Sequence, residues 1–270
     1  MEYSPLVAER NEIRLVKVLP REDAAAVAAG DQQPEMIQCI MEHKSLDELG
    51  HTQGDSVRLG YVALSYCWGS WDDSQLIAVN GQVTKVTRNL YDFLKVMWEG
   101  AVWRWFWIDA LCINQKDIDE RNLQVKRMGS IYERARRVLA WLGASSEDSS
   151  TAIQLLQSTY EHGKTIAEDR RREELHLWLN ERPVGSWCAL FRLWSRQYWA
   201  RLWIIQEIVL NHNLLVMCGA DVIDWTFLST TTTWLQEDLT DLRLRCQNDC
   251  KALGIPSISV GVIGNLVTYL

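Results

Sequence analysis

The amino-acid sequence predicts an α/β fold with a central parallel sheet. Short apolar runs of the buried-strand type alternate with segments of helical periodicity, in the order strand, helix, strand, helix, strand, insertion, helix, strand. The chain has 270 residues, of which 47% are hydrophobic and 23% charged, so it is long enough for one or two globular domains and is not a disordered or low-complexity scaffold. In such sheets, ligands bind beyond the carboxyl ends of the strands.

The strands are predicted from their composition and from the residues that end them. They cover residues 13–18, 36–41, 61–66, 76–79, 82–86, 105–108, 137–142 and 213–218. Asn80-Gly81 supplies the positive φ angles of a type I′ turn, which predicts a hairpin from the fourth and fifth strands.

The helices are predicted from periodicity and end signals. They cover residues 89–98, 117–135, 152–160, 187–194, 198–210 and 224 to about 253. We expect Asn89 to cap the first helix, and Asp117 with Glu120 to form a capping-box-like start of the second after a loop at 110–116. The apolar stripe of this second helix consists of Val125, Met128, Ile131, Tyr132 and Ala135.

Three parts of the chain differ in character. Residues 1–60 are predicted to be an N-terminal β extension packed on the core. Residues 61–218 form the core, with a polar and charge-rich helical insertion at about 144–195. Residues 219–270 are interpreted as a C-terminal helical segment at the cut edge of a longer protein.

Composition limits the classes of partner. The net charge of −7 disfavours nucleic acid as a partner, and 14 tryptophans indicate a well-buried core with the option of a stacking pocket. Seven scattered cysteines without C-x-x-C, and an N-terminus without an apolar signal region, indicate a cytoplasmic, reduced protein. Neither Cys39/His43 nor Cys246/Cys250 has a second pair at zinc-ligand spacing, so no metal site is predicted. The uncharged stretch 252–270 contains proline and glycines and is not interpreted as a membrane span.

Three blocks carry the most information. They read YVALSYCWG at 61–69, WIDALCINQ at 107–115 with a continuation to Ala135, and YWARLWIIQE at 198–207. The sequences of these blocks and their order closely resemble those of the fungal heterokaryon-incompatibility (HET) domain, and the resemblance covers roughly residues 13–218. One departure is Cys67, where this family more often has a branched aliphatic residue.

The HET domain in turn resembles the TIR domain, which implies a TIR-like (flavodoxin-like) parallel sheet. Ser65-Tyr66 ends the first buried strand as a Ser-Tyr pair does in TIR domains, and Trp203-x-x-x-Glu207 matches the helix that carries the catalytic glutamate of NAD-cleaving members. The loop 110–117 falls where TIR domains have a mobile loop over the substrate. The insertion at 144–195 is a departure that would cover or remodel the pocket.

Glu207 is the predicted catalytic residue. It follows Trp203 by one turn in an otherwise apolar segment, where a carboxylate is costly unless it is paired. A carboxylate beside an aromatic plate suits a glycosidic bond whose cleavage develops positive charge on the ribose, and NAD adds a good leaving group, nicotinamide. The alternative is that Glu207 forms an ion pair with Arg104, Arg121 or Arg201 and has only a structural role in stabilising the core.

Substrate contacts are predicted at Ser65, Tyr66, Trp68, Asp109, Asn114 and Trp203. For most of these residues a structural role is open as well. Ser65 suits a substrate phosphate or ribose but also the capping of the next turn, Trp68 suits a stacking wall but also the core, and Asp109 suits a ribose hydroxyl but also the amides of its own loop.

A second group of residues is predicted to hold the loop or to contact a neighbouring subunit: Cys112, Ile113, Gln115, Arg121 and Gln124. Asn114 and Gln115 suit turn formation as well. Arg121 and Gln124 are expected to fix the loop to the helix that follows it. Cys112 is not predicted to be a nucleophile, because no histidine lies near it in the sequence.

The resemblance implies a cell-death effector of fungal non-self recognition. It would be a NAD glycohydrolase, with NAD as substrate rather than cofactor, that releases nicotinamide and ADP-ribose or a cyclised product and is activated by self-association. An upstream recognition protein is a further expected partner, and nucleic acid and membrane are not. The alternative is a non-catalytic domain that transmits a death signal by homotypic assembly.

Overall fold

A computed structural model of the chain describes residues 1–20, 36–49, 60–100, 104–201 and 204–236. The backbone divides into two compact units. The first consists of Met1–Gly143 and Gln206–Leu214, and the second of Ala144–Ile205 and the residues from Leu215 onward.

The described residues form nine strands, seven in the first unit and a hairpin of two that begins at the end of the first unit. They are β1 (Glu12–Val18), β2 (Gln38–Ser45), β3 (Tyr61–Tyr66), β4 (Ser74–Val79), β5 (Gln82–Thr87), β6 (Trp105–Trp107), β7 (Arg137–Trp141), β8 (Leu214–Cys218) and β9 (Asp221–Asp224). All strands predicted from the sequence are present, and β9 is an additional one.

Eight α-helices complete the described structure, together with two 3₁₀ helices at Ala8–Arg10 and Gln197–Ala200. The α-helices are α1 (Arg88–Glu99), α2 (Asp109–Cys112), α3 (Ile118–Arg134), α4 (Ser149–Gly163), α5 (Arg171–Asn180), α6 (Val184–Trp194), α7 (Ile204–Val209) and α8 (Trp225–Leu235).

The sheet of the first unit is mixed, which corrects the prediction of a parallel sheet. Its strands lie in the order β5-β4-β2-β1-β6-β3-β7. Strand β3 runs parallel to β6 and β7, and β2 runs parallel to β4, whereas β1 is antiparallel to both β2 and β6. Strands β3, β6 and β7 can run parallel because α1 and α3 provide the crossover connections that parallel neighbours need.

The core of the first unit lies around β3. All six residues of β3 are buried, as expected for a strand that is covered on both faces. Phe93 of α1 contacts Phe106 and Trp141 edge to face, with ring centroids 5.4 and 5.6 Å apart. Trp107 and Trp141 are fully buried, so part of the high tryptophan content serves the core.

The predicted hairpin is confirmed. Asn80 has φ 50° and Gly81 has φ 75°, as a type I′ turn requires, and β4 and β5 pair antiparallel across it. The predicted start of α3 is confirmed in part: the carboxylate of Asp117 accepts a hydrogen bond from the backbone N–H of Glu120, 3.0 Å away. The reciprocal bond of a capping box is not formed, because the N–H of Asp117 donates to the carbonyl of Asn114 and the Glu120 carboxylate binds Arg14 and the N–H of Asn114.

Several predicted helices differ in detail. The residue that precedes α1 is Thr87 rather than Asn89, and the predicted loop 110–116 begins within the short helix α2. The single helix predicted at 198–210 is instead a 3₁₀ helix and the separate helix α7, because the backbone at Arg201 is extended, with φ −79° and ψ 132°. In α3, Val125 is exposed and Gln124 is buried, so the predicted apolar stripe is displaced by one residue at that turn.

The second unit is mainly helical and contains α4, α5, α6 and α8 with the hairpin β8–β9. Tyr160 of α4 stacks on Phe227 of α8, with ring centroids 4.2 Å apart. Asp224 caps α8 by accepting a hydrogen bond from the N–H of Thr226, 2.8 Å away. The part of the last predicted helix beyond residue 236 lies outside the described residues.

Candidate functional site

A serine–glutamate pair lies at the carboxyl end of β3. Ser65 and Tyr66 are the last residues of β3 and pair with Ala140 and Trp141 of β7. The hydroxyl of Ser65 donates a hydrogen bond to Oε2 of Glu207, which is carried by α7. Ser65 is fully buried and Glu207 is 2% exposed. The structure therefore brings together the predicted catalytic residue and one predicted substrate contact, in an environment closed to water.

Trp68 and Asp109 connect the turns that follow β3 and β6. The indole Nε1 of Trp68 donates to Oδ2 of Asp109 at 2.8 Å, and the backbone N–H of Ala110 donates to Oδ1 at 2.7 Å. Of the two roles open for Asp109, the binding of amides in its own loop is therefore observed. Trp68 is half-buried, and its indole orientation is fixed by the carboxylate.

Asn89 joins the first turn of α1 to the same edge of the sheet. Its side-chain amide donates to the carbonyl of Cys67 at 2.6 Å and accepts a hydrogen bond from the indole Nε1 of Trp141 at 2.9 Å. The side chain thus connects the residue after β3 with the last residue of β7. This contact explains why Asn89 does not cap α1 as the sequence predicted.

An arginine that sequence reasoning missed holds the loop after α2. Arg14 of β1 is 1% exposed and donates to both carboxylate oxygens of Glu120, at 2.6 and 2.9 Å. It also donates to the carbonyl of Cys112 at 3.0 Å, and Oε1 of Glu120 accepts from the N–H of Asn114 at 2.7 Å. Bidentate pairs of this kind are strong and directional. The available signal was an arginine flanked by Ile13 and Leu15 in a strand predicted from its composition.

The pKa values around this loop follow from burial and from Arg14. Burial raises the pKa of Glu120, but the hydrogen bonds from Arg14 and Asn114 and the guanidinium charge lower it further, so the net shift is downward. Burial raises the pKa of Cys112 to about 12, despite the hydrogen bond from the N–H of Ile108 to its sulfur. Cys112 is therefore a thiol rather than a thiolate at neutral pH, which agrees with its rejection as a nucleophile.

The residues predicted for loop holding or assembly occupy different environments. Cys112 and Ile113 are each 2% exposed and offer no surface to a neighbouring subunit in this state. Gln124 is buried, whereas Arg121 is exposed, and Glu120 makes the loop contacts expected of Arg121. The role predicted for Arg121 is thus carried by its neighbour, because Glu120 faces β1.

A cleft of about 350 Å³ opens beside these turns in the first unit. Trp68, Asn114 and Gln115 of the predicted site line it, together with Trp71 and residues of β5. Gln115 also donates from its side-chain amide to the carbonyl of Asp109 at 3.2 Å. This cleft is the place where several predicted ligand contacts reach solvent.

Other predicted contacts do not reach it. Tyr66 is 2% exposed, with its ring in the core. Trp203 lies outside the described residues, so its predicted stacking beside Glu207 stays a prediction. Of the arginines considered as partners of Glu207, Arg104 and Arg121 are exposed.

The described residues contain neither a candidate metal site nor a candidate membrane span. They contain no cluster of three or more histidine, cysteine, aspartate or glutamate side chains able to hold a metal ion. Among their helices, none has the length and apolar character that crossing a bilayer requires.

Comparison with known proteins identifies the family. Fold and site define an α/β protein with a buried serine–glutamate pair at the carboxyl ends of parallel strands. The model of the heterokaryon incompatibility protein family (HET) matches residues 61–207, which is more than half of the chain, and the chain belongs to this family.

One curated relative is heterokaryon incompatibility protein 6, OR allele, of Neurospora crassa. It is 28% identical over 220 residues, which cover 68% of this chain and 32% of the relative. The chain thus spans about a third of the length of this relative. No solved structure gives a significant match.

Proposed function

We propose that this HET domain is a cell-death effector of fungal non-self recognition that cleaves NAD, and that Glu207 is its catalytic residue. The observation that carries the proposal is the hydrogen-bonded pair of Ser65 and Glu207 at the carboxyl end of β3. Family membership and the name of the Neurospora relative support the incompatibility role.

The sheet order supports a TIR-like site at this position. The three parallel strands β6-β3-β7 are, in chain order, second, first and third, which is the order at the start of a flavodoxin-like sheet. In such sheets the ligand binds where the strand order reverses, between the first and third strands. Ser65 lies on β3 and pairs with Ala140 of β7, at that point.

The pair suits cleavage of the bond between ribose and nicotinamide. As the C–N bond breaks, nicotinamide leaves with the electron pair and positive charge develops on the ribose. The Glu207 carboxylate would stabilise this cation, and the Ser65 hydroxyl fixes one carboxylate oxygen in place. Addition of water to the ribose cation, with loss of a proton, then gives ADP-ribose.

Burial indicates that the site must open before it can act. With Ser65 fully buried and Glu207 2% exposed, a substrate reaches the carboxylate only after neighbouring residues move. Self-association, which the TIR resemblance implies, would supply the free energy for that movement. The same burial favours the second candidate, a non-catalytic signalling domain in which the pair fastens α7 to β3.

The decisive experiment is NAD cleavage by purified domain, both dilute and clustered on a scaffold, with nicotinamide as the measured product. Replacement Glu207→Gln keeps the shape and removes the charge, so cleavage should fall about 10²-fold or more. The matched control is Glu133→Gln on the exposed face of α3. A clustered parent protein that leaves NAD intact, or a folded Glu207→Gln variant that cleaves at the parent rate, rejects the catalytic proposal.

A further inference from the structure

The cleft beside Trp68 has the features of an anion site at a helix N-terminus. Its lining includes Thr87 and Leu90, which belong to the beginning of the 12-residue helix α1. Thr87 is the capping residue, but its side chain makes no capping hydrogen bond, and the first turn contains no acidic residue. The first backbone N–H groups of a helix lack partners within the helix and attract phosphate groups.

Two buried hydroxyls point independently to a ligand. Thr87 is 3% exposed and lines the cleft, yet its Oγ1 has no hydrogen-bond partner among the described residues. Thr84, three residues earlier on β5, lines the same cleft, and its buried Oγ1 also has no partner within the described part of the chain. Buried hydroxyls without partners are uncommon because each costs free energy, and a bound oxygen acceptor would satisfy both.

The charges of the lining have the sign that a phosphate needs. Lys85 and Lys116 line the cleft, both are exposed, and neither forms an ion pair with another described residue. The described lining includes no aspartate or glutamate, although the whole chain has a net charge of −7. The nearby Asp72 accepts from Ser70 at 2.7 Å, and Asp73 accepts from the Gln75 amide at 3.0 Å.

An aromatic wall completes the cleft. Trp71 lines it and is 53% exposed, so much of its ring surface is accessible for stacking. Trp68 stands in a fixed orientation through its bond to Asp109. The volume of about 350 Å³ lies at the lower end of the range for small-molecule pockets.

We propose that this cleft binds a nucleotide, with a phosphate at the N-terminus of α1 between Lys85 and Lys116 and the base stacked on Trp71. Phosphate recognition and ring stacking are supplied by adjoining walls of one cleft, and a nucleoside phosphate is the ligand class that uses both. Trp68 and Asn114, two of the predicted NAD contacts, line this cleft, whereas Ser65 and Glu207 are absent from its described lining. The inference therefore deepens the proposed function and rests on it for the role of the bound nucleotide, while binding itself is measured separately from cleavage.

Isothermal titration calorimetry with AMP, inorganic phosphate and adenosine tests the assignment. AMP should bind more tightly than either part, and its affinity should fall with added salt. Trp71→Ala should weaken AMP about tenfold and leave phosphate binding unchanged. Lys116→Gln and Thr87→Val should weaken AMP and phosphate alike, since both act on the phosphate.

The matched control is Lys126→Gln, an exposed lysine of α3 outside the lining, which should bind AMP like the parent. Melting curves establish that each variant is folded. Phosphate binding as tight as AMP binding would overturn the assignment to a nucleotide, and a parent protein that binds none of the three ligands would overturn the site altogether. The calorimetry measures binding and not cleavage. Its result therefore tests this inference even if the domain does not cleave NAD.

Discussion

Two neighbouring regions at one edge of the sheet differ in access to solvent. The pair Ser65–Glu207 is enclosed, with exposures of 0% and 2%, whereas the cleft beside it displays Trp71 at 53%. The pair contains the carboxylate proposed for catalysis, whereas the cleft is open to solvent. Under the proposed function, this difference would correspond to a resting domain, in which the substrate binds in the cleft before the carboxylate becomes accessible.

The segment formed by α2 and the loop after it lies between the open cleft and the buried side of the first unit. Leu111 and Asn114 line the open cleft, while Arg14 and Glu120 fix the same segment to β1 from the buried side. Loosening this segment should therefore change access to both regions.

The largest effect is expected from Arg14→Leu. The variant leaves the carboxylate of Glu120 without its guanidinium partner and should lower the free energy of unfolding by about 3 kcal/mol, which is about 10²-fold in the folding equilibrium. Denaturant unfolding at neutral pH measures this, and Arg10→Leu at an exposed position is the control. The double variant Arg14→Leu/Glu120→Leu should recover part of the loss, because no unpaired charge remains.

The same pair predicts a pH dependence. The folded pKa of Glu120 lies below its ordinary value of 4.5, so its ionisation contributes stability that is fully present above that value and is lost as the pH falls through the folded pKa. Glu120→Gln should therefore show its full deficit above about pH 4.5 and a smaller one in more acid solution. An equal deficit at every pH would refute the assigned role of the charge.

An intermediate effect is expected in cysteine labelling. Cys67 is partly exposed after β3, whereas Cys112 is buried below the loop and burial raises its pKa to about 12. An alkylating reagent should modify Cys67 at least about tenfold faster, because the thiolate is the nucleophile and must be reached. Site-resolved mass spectrometry gives both rates. Equal rates in the folded parent would show that the segment opens freely, and the contrast between enclosed pair and open cleft would fail.

The smallest effect is expected on specific activity as a function of protein concentration. If assembly opens the region around Glu207, the rate of NAD cleavage per molecule should be about threefold or more higher in clustered than in dilute protein. Initial rates over a concentration series provide the measurement. A rate strictly proportional to protein concentration, with the same specific activity after enforced clustering, would remove self-association from the mechanism.

Features decided by neighbouring residues were predictable from the sequence. The apolar run at 61–66 is β3 with the same bounds, Asn80-Gly81 forms the type I′ turn, and Asp117 caps α3. Each depends on steric preferences or hydrogen bonds within a few residues, which the local sequence specifies. The motif resemblance also predicts the serine and glutamate of the candidate site.

The tertiary structure alone decided which distant residues meet. Arg14 reaches Glu120 across 106 positions, and Ser65 reaches Glu207 across 142. The antiparallel insertion of β1 beside β6 made the sheet mixed, and the break at Arg201 shortened the helix that carries Glu207. A local pattern contains no information about which strand lies beside which, because pairing and burial depend on the closure of the whole sheet. The sequence therefore determined the elements and the candidate carboxylate, and packing determined its burial and its hydrogen bond with Ser65.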